Sequence, residues 1–371
     1  MFKQSRTLAN LACSILKHFG VNSLPNPTLP LADKLLEGFD GPVALLVLDG
    51  LGMYNMENAL KKDGFFYSHL AGEYSSVFPP TTVAATTSVL SGLFPSQSGW
   101  LGWTMYYPQV DANVTVFLNT VDDETAFPAA DYSVAETHAP YRSVIEQIKD
   151  IGGRAEKVSP FGEKPCHSLE EIARHIEKTY REGKTFYYAY YREPDHTMHI
   201  KGATSEKALQ LIREIEQELS SWKNRFDNLL LLITADHGHI DIDGVVLEDY
   251  PDIQDCLVRP PSIEPRALNL FVKEGRLEEI KALFRQHFGN EFLLISKEEA
   301  LDKHLFGPEP YFPWIYEALG DLIAVSTGRL SLFNTHRQCE QMKGAHAGMT
   351  DEEMRIPLIA VHCKAPLTTE D

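Results

Sequence analysis

The sequence predicts an α/β fold in which helices cover both faces of a doubly wound, mostly parallel sheet. Short and continuous apolar runs end in polar residues, as expected of strands that are buried on both faces. Segments with apolar residues at helical spacing separate these runs. Over 371 residues, the alternation of the two patterns is typical of successive strand and helix units.

Four apolar runs are predicted to be strands. In chain order they are Val43–Leu48, Phe186–Tyr191, Leu229–Thr234 and Pro357–Val361. The first three are followed within a few residues by carboxylate or imidazole side chains. In open α/β sheets, ligands bind beyond the carboxyl ends of the strands, so these side chains are expected at the binding edge.

Predicted helices lie between the strands. Weak patterns cover 66–70 and 86–93, and stronger ones cover 141–151 and Leu169–Glu182. The best pattern is "TSEKALQLIREIEQELSSWKNRF", in which leucines and isoleucines recur at i, i+3 and i+4. The N-terminal segment also predicts an amphipathic helix, because polar residues interrupt its apolar run.

Two regions interrupt the alternation of strands and helices. Trp100–Tyr132 is aromatic and polar and predicts a small excursion from the sheet. Between 244 and 335, prolines and aromatic residues become frequent, as in "EPYFPWIYEALG". We therefore predict an α/β core of residues 1–243 and 336–371, with residues 244–335 inserted as a cap.

Composition limits the classes of partner. Acidic residues outnumber basic ones by 52 to 34, and the formal charge of −18 disfavours nucleic-acid polymers and anionic membrane surfaces. No apolar run has the length of a membrane span. The five cysteines are scattered and odd in number, which predicts free thiols in a reducing compartment, the cytoplasm. An anionic substrate would need a local positive charge, which bound metal ions provide.

Residues suited to metal binding follow the predicted strands. An aspartate follows the first strand, an Asp and a His four residues apart follow the second, and an Asp-His pair follows the third. A further histidine lies in "KGAHAGMTDEEMRIP". Carboxylate and imidazole together suit Zn²⁺, and less selectively Mn²⁺. Their number favours two ions in a phosphoryl-transfer site; the candidate ligands are Asp49, Asp195, His199, Asp236, His237 and His346.

The stretch "FPPTT" allows two interpretations of its threonines. The two prolines resist a helix interior and predict a rigid entry to the segment that follows. A threonine at a helix start is usually an N-cap. Beside a metal ion, its hydroxyl loses a proton more easily and becomes a nucleophile. Taken alone, the stretch favours the cap for either Thr81 or Thr82.

The motifs "LVLDGLG", "FPPTTVAATTSVLSGLFPSQSG", "EPDHTMH", "TADHGH" and "GAHAG", in this order, resemble the alkaline phosphatase superfamily. Within it the sequence is most similar to the type I phosphodiesterase/nucleotide pyrophosphatase family. The resemblance implies the alkaline-phosphatase type of fold and selects Thr82 over Thr81 as nucleophile. It also implies two zinc ions, one held by Asp49, Thr82, Asp236 and His237, the other by Asp195, His199 and His346.

The expected function is hydrolysis of a phosphodiester or pyrophosphate bond in a small molecule, through a phosphothreonine intermediate on Thr82. A phosphomonoesterase or phosphonate hydrolase is the alternative, because Ala85 stands where we expect nucleotide pyrophosphatases to have a phosphate-binding asparagine. A non-catalytic metal-binding scaffold is the alternative from another class. No motif in the predicted cap indicates which substrate binds there.

Several neighbouring residues have a functional and a structural interpretation. His196 and His239 are expected to support the ligands rather than bind the ions. Four aromatic residues either line a substrate pocket or pack in a core. Arg192 and Lys201 either attract an anion or are solvated. The four aromatic residues are Trp100, Trp103, Tyr106 and Tyr107.

Overall fold

The computed structural model of the chain describes residues 6–123, 125–161, 165–180 and 183–364. The predicted helix end at Glu182 lies outside the described residues. The same holds for the first residues of the predicted core segment 1–243 and the last residues of the segment 336–371. In chain order the described strands are β1 (Val43–Leu48), β2 (Leu70–Ser75), β3 (Thr104–Tyr107), β4 (Ala112–Thr115), β5 (Thr120–Val121), β6 (Ala155–Val158), β7 (Phe186–Tyr191), β8 (Leu229–Thr234), β9 (Ile240–Asp241), β10 (Asp243–Val246), β11 (Ser262–Glu264), β12 (Ala267–Leu270), β13 (Phe292–Ser296), β14 (Leu322–Ser326), β15 (Leu330–Phe333), β16 (Gly344–Ala345) and β17 (Arg355–Cys363).

Helices alternate with these strands, as the sequence predicts. The described α-helices are α1 (Leu8–His18), α2 (Pro30–Leu36), α3 (Met53–Ala59), α4 (Phe65–Ser68), α5 (Thr82–Ser91), α6 (Pro95–Ser98), α7 (Val134–His138), α8 (Val144–Asp150), α9 (Leu169–Thr179), α10 (Asp195–Lys201), α11 (Glu206–Trp222), α12 (Pro251–Gln254), α13 (Leu277–Phe288), α14 (Lys297–Asp302), α15 (Ile315–Ala318), α16 (His336–Glu340) and α17 (Asp351–Met354). None of them has both the length and the apolar character needed to cross a membrane.

The main sheet has six strands in the order β2-β17-β8-β1-β7-β6. Strand β1 runs parallel to β7 and β8, and β6 runs parallel to β7. All six side chains of β1 and of β8 are buried, so helices cover both faces of the sheet. The structure thus confirms the predicted doubly wound and mostly parallel fold.

The C-terminal strand β17 differs from its parallel neighbours. It pairs antiparallel with both β8 and β2, and it extends beyond the predicted 357–361 at both ends. Its central residues are as apolar as those of β8 because both strands are buried. A continuous apolar run therefore reports burial and not strand direction.

A second sheet of seven strands lies beside the first, in the order β13-β14-β12-β11-β3-β4-β5. Four of its strands come from the predicted cap range, and β3, β4 and β5 come from the predicted excursion. The two regions that interrupt the sequence pattern therefore form one antiparallel sheet. Whether residues 244–335 form a separate cap stays a prediction.

The central strand offers a test of the main core. Leu45 in β1 is fully buried, whereas Leu293 in β13 is 46% exposed. We expect Leu45→Ala to lower the free energy of unfolding by about 2–5 kcal/mol, because it leaves a cavity in a closely packed core. The matched Leu293→Ala should cost less than about 1 kcal/mol. Urea denaturation followed by circular dichroism measures both, and equal losses would contradict this assignment of the core.

Candidate active site

Three aspartates lie side by side at the carboxyl end of the main sheet. Asp49 follows β1, and its carbonyl accepts a hydrogen bond of 3.0 Å from the backbone N–H of Asp195, which follows β7 after a short turn. Asp236 follows β8, and its Oδ1 accepts a hydrogen bond of 3.0 Å from the N–H of Gly50. These bonds across parallel strands make the three carboxylates converge at the edge where the sequence predicts the site.

The two candidate nucleophiles stand at the start of α5. Thr81 occupies the N-cap position in an extended conformation, but its hydroxyl donates to Oε1 of Glu264 and does not cap the helix. Thr82 is the first helical residue, and its Oγ1 lies 3.3 Å from Nε2 of His237. The structure therefore places the hydroxyl of Thr82 among the candidate ligands and directs that of Thr81 elsewhere.

Three histidines turn one ring nitrogen to a backbone carbonyl and the other to the aspartates. Nδ1 of His199 lies 2.9 Å from the carbonyl oxygen of Gly344. Nδ1 of His346 lies 3.0 Å from that of Pro80, and Nδ1 of His237 lies 3.1 Å from that of the next residue. A proton on each Nδ1 satisfies these carbonyls and leaves the Nε2 lone pair free for a metal ion.

The first group of candidate ligands surrounds His237. Its Nε2 lies 3.4 Å from Oδ1 of Asp49 and 3.6 Å from Oδ2 of Asp236. The ligand atoms of these three residues lie within 4.8 Å of one another, and the hydroxyl of Thr82 lies beside them. The structure thus brings together the four side chains that the resemblance implies for one ion.

The second group surrounds a single carboxylate oxygen. Oδ1 of Asp195 lies 3.3 Å from Nε2 of His199, 3.4 Å from that of His239 and 3.8 Å from that of His346. Asp195, His199 and His346 are the residues that the resemblance implies for the other ion. His239 was expected only to support the ligands, yet it stands as near to this oxygen as His199 does. Its position suggests it as a further candidate ligand.

The donor set fits divalent cations. Oδ1 of Asp49, Oδ1 of Asp195 and Oδ2 of Asp236 are buried, and they accept no hydrogen bond from any residue in the described ranges. A buried charge without a partner is costly, so buried carboxylates are normally paired or coordinate metals. Carboxylates and neutral imidazoles at these spacings are the ligands that Zn²⁺ prefers.

Electrostatics agrees with this donor set. Burial, followed by the charges of neighbouring aspartates, raises the pKa of Asp49 and of Asp195 well above the usual carboxyl range. Burial lowers the pKa of His199 to about 4, and it also lowers the pKa of His239 and His346. The imidazoles are therefore neutral and able to bind a metal at neutral pH, while the carboxylates need a nearby cation to stay ionised.

A cavity of about 830 Å³ opens onto these groups. Its lining is rich in aromatic rings and carries charges of both signs. The aromatic residues are Trp100, Trp103, Phe117, Tyr141, Phe161, Tyr188, Tyr190 and Phe333. The charged residues outside the ligand groups are Asp122, Glu136, Lys157, Arg192 and Glu264. The cavity is much larger than a phosphate group, so it has room for a substantial organic substituent.

The structure decides between the two interpretations of several neighbouring residues. Trp100 and Trp103 line the cavity, as does Arg192. Tyr107 is fully buried in the core of the second sheet. The ring of Tyr106 lies 3.6 Å below the guanidinium carbon of Arg259. The four aromatic residues therefore divide into two in the cavity and two with structural contacts.

The interpretation of two further residues changes with the structure. Ala85 is fully buried and packs in the main core, so its small size creates no space beside a phosphate group. Lys201, at the end of α10, is exposed, whereas His196 lines the cavity. The burial of Ala85 removes only the part of the argument for a monoester or phosphonate that depended on free space there. The absence of an asparagine at this position is unaffected.

Glu264 is among the cavity residues that the sequence analysis did not identify. Oε1 of Glu264 accepts hydrogen bonds from the hydroxyl of Thr81 and from the N–H of Trp103, the latter at 3.1 Å. Burial raises the pKa of Glu264 to about 7. Glu264 belongs to a proline-rich stretch far along the chain from the threonines, and no local pattern connects the two.

The sheet, and the hydroxyl beside clustered carboxylates and imidazoles at its carboxyl edge, match the arrangement that the sequence resemblance implies. The chain belongs to the type I phosphodiesterase / nucleotide pyrophosphatase family, whose sequence profile matches residues 43–348. No curated protein matches the chain in a sequence search.

Solved structures with the same fold include murine ectonucleotide pyrophosphatase / phosphodiesterase 5, with a TM-score of 0.65, 16% identity, and coverage of 86% of this chain and 87% of that one. The human protein of the same name gives 0.64 and 18%, with the same coverage. Phosphonoacetate hydrolase from Sinorhizobium meliloti gives 0.60 and 14%, covering 87% of this chain and 90% of its own. At these identities the likeness shows the fold alone.

The carboxylate cluster predicts an unusual effect of a neutral substitution. In metal-free protein at pH 8, Asp49 opposes folding because its pKa is higher in the folded state than in the unfolded one. Asp49→Asn removes that ionisable group and should raise the free energy of unfolding of the chelated protein. Denaturant titration in the presence of a chelator measures this change.

The matched control is Asp302→Asn, which removes an exposed carboxylate at the end of α14. It should change stability by less than about 0.5 kcal/mol. A chelated Asp49→Asn protein that is less stable than the wild type would contradict the assignment of a raised Asp49 pKa to burial beside the other aspartates.

Proposed function

We propose that the protein is a two-metal hydrolase of phosphodiester or pyrophosphate bonds that uses Thr82 as its nucleophile. The observation that carries the proposal is the position of the Thr82 hydroxyl, 3.3 Å from Nε2 of His237 at the edge of a buried cluster of carboxylates. Thr82 is half-buried and lines the cavity, whereas Asp49 and Asp236 are buried. The proposed nucleophile is thus more exposed to the cavity than these two carboxylates.

Seven side chains would hold the two ions, which we infer to be zinc, with manganese as the alternative. When bound, the ions supply positive charge that stabilises the deprotonated hydroxyl and the charge developing on the phosphoryl group. One ion would lie among Asp49, Thr82, Asp236 and His237. The other would lie among Asp195, His199 and His346, with His239 as an additional neighbour.

The chain's own residues prepare the reaction. Helix α5 holds Thr82 at its first turn, where the unpaired backbone N–H groups of a helix start favour an anion. The hydroxyl of Tyr190 donates to Oδ2 of Asp49 and orients that carboxylate. Attack by Thr82 in line with the departing oxygen would form a phosphothreonine, which water then hydrolyses.

The cavity supports a substrate with a sizeable organic group on phosphorus. Its aromatic lining offers stacking surfaces, and its volume exceeds the needs of a phosphate. One solved structure of similar fold is an inactive threonine-to-alanine variant of murine ectonucleotide pyrophosphatase / phosphodiesterase 5 in complex with AMP. Another is phosphonoacetate hydrolase with phosphonoacetate. We propose a small phosphate ester as substrate and keep a monoester or phosphonate as the alternative to be tested.

The complete set of candidate ligands argues against a non-catalytic scaffold, which would not need a hydroxyl facing the cavity.

The predicted cytoplasmic location stays a prediction. It is supported by the five cysteines, which are scattered along the chain and odd in number.

The nucleophile assignment is tested by paired threonine variants. We expect Thr82→Ala to lower kcat roughly 10³-fold or more on bis-p-nitrophenyl phosphate, because it removes the attacking oxygen. Thr81→Ala is the matched control and should retain activity within about tenfold, since its hydroxyl points to Glu264. Rates are measured with added zinc or manganese, together with metal content.

The outcomes separate the alternatives. Loss of activity in Thr82→Ala with metal content retained supports the proposal, whereas unchanged activity overturns the nucleophile. Faster hydrolysis of p-nitrophenyl phosphate or phosphonoacetate than of the diester would favour the alternative substrates. A metal-loaded wild type that cleaves none of them would favour the scaffold.

A further inference from the structure

A buried ion pair connects the second sheet to the candidate metal centre. Nε and Nη2 of Arg266 donate to Oε1 and Oε2 of Glu353 at 2.7 and 2.8 Å, and both side chains are fully buried. The guanidinium also donates to the carbonyls of Gly328 and Leu330 and lies 3.3 Å from the hydroxyl of Ser331. A buried pair is weak evidence for stability in itself, because desolvation opposes the attraction. Its contacts indicate another role.

Glu353 holds the loop that carries His346. Its Oε1 accepts a hydrogen bond of 2.7 Å from the N–H of Gly348, and its Oε2 accepts one of 2.8 Å from the hydroxyl of Thr350. Its backbone carbonyl accepts a hydrogen bond of 2.8 Å from the N–H of Gly238, the residue after a candidate ligand. Glu353 therefore touches two of the segments that present imidazoles to the aspartates.

The loop held by Glu353 has a backbone conformation that needs support. Ala347 lies between His346 and Gly348 with a φ of 88°, although it is not a glycine. Such a conformation is unfavourable for a residue with a Cβ and persists only where the surroundings impose it. A Cβ on Gly348 would lie 2.7 Å from Nη2 of Arg266 and from Oε2 of Glu353, so the loop lies directly against the ion pair.

We propose that the Arg266–Glu353 pair positions His346 for metal binding. This inference rests on the proposed function, in which His346 is a ligand of one of two ions. The pair holds the strained loop, and the loop sets the distance of 3.8 Å between Nε2 of His346 and Oδ1 of Asp195. Arg266 and Glu353 are thus positioning residues, and through Arg266 the second sheet takes part in the metal centre.

The test uses a variant without an unpaired buried charge. Arg266→Met combined with Glu353→Gln removes both charges and leaves an amide oxygen for the N–H of Gly348. We expect the dissociation constant of one zinc ion to rise 10- to 100-fold, as for other groups that orient metal ligands. The other zinc should keep its affinity within about threefold. Competition with a chromophoric chelator measures both constants, and His346→Ala provides the reference for loss of that ligand.

A matched variant separates positioning from general stability. Ile323 in β14 is fully buried in the second sheet, and the turn between β11 and β12 of this sheet carries Arg266. Ile323→Ala should lower the melting temperature of the metal-free protein and leave both zinc affinities unchanged. If the double variant shows the same pattern as Ile323→Ala, the pair serves the fold only and the proposal is overturned.

A milder variant tests the same proposal if the double variant does not fold. Thr350→Val removes one hydrogen bond to Glu353 and should weaken the same zinc ion about two- to fivefold. If the double variant does not fold, this result decides alone, and an unchanged affinity would count against the proposal. A wild-type protein that binds fewer than two zinc ions would instead contradict the two-metal function itself.

Discussion

The burial of three carboxylates in one place is the constraint on which the rest of the site depends. Asp49, Asp195 and Asp236 end up together because β1, β7 and β8 are adjacent and parallel. Ionised carboxylates repel one another more strongly away from water, since the effective dielectric constant falls. Cations are the partners that allow such a cluster to remain ionised. The surrounding imidazoles add ligands without adding negative charge, and backbone carbonyls fix their orientation.

Much of this arrangement is predictable from sequence because it is local to each strand. The bounds of β1, β7 and β8 follow from continuous apolar runs that stop at polar residues, and the chemistry follows from the residues at those stops. Helix α11 was predictable from its period, although its last predicted residues lie beyond Trp222. The choice between Thr81 and Thr82 needed a family resemblance, since spacing alone favours a helix cap for either of them.

The remainder depends on contacts between residues far apart in the chain, which no local pattern encodes. β3 of the predicted excursion pairs with β11 of the predicted cap range through Ile263 and Thr104. The direction of each side chain on α5 was equally unreadable, because small apolar residues alternate there with threonines and serines and form no distinct polar face. Ala85 therefore faces the main core, while Thr86 and Thr87, the next two residues, line the cavity.

The hairpin of β11 and β12 explains why the second sheet is more than a cover for the cavity. Glu264 bonds to the residue before the proposed nucleophile, and Arg266, two positions later, bonds to the residue that supports the His346 loop. Residues that are close together in one hairpin move together. A shift of this hairpin would therefore disturb both the start of α5 and the His346 loop. The same hairpin also forms part of the cavity wall. The shape that selects a substrate and the geometry that holds the ligands are therefore set by one structural element, and changes in the first are expected to affect the second.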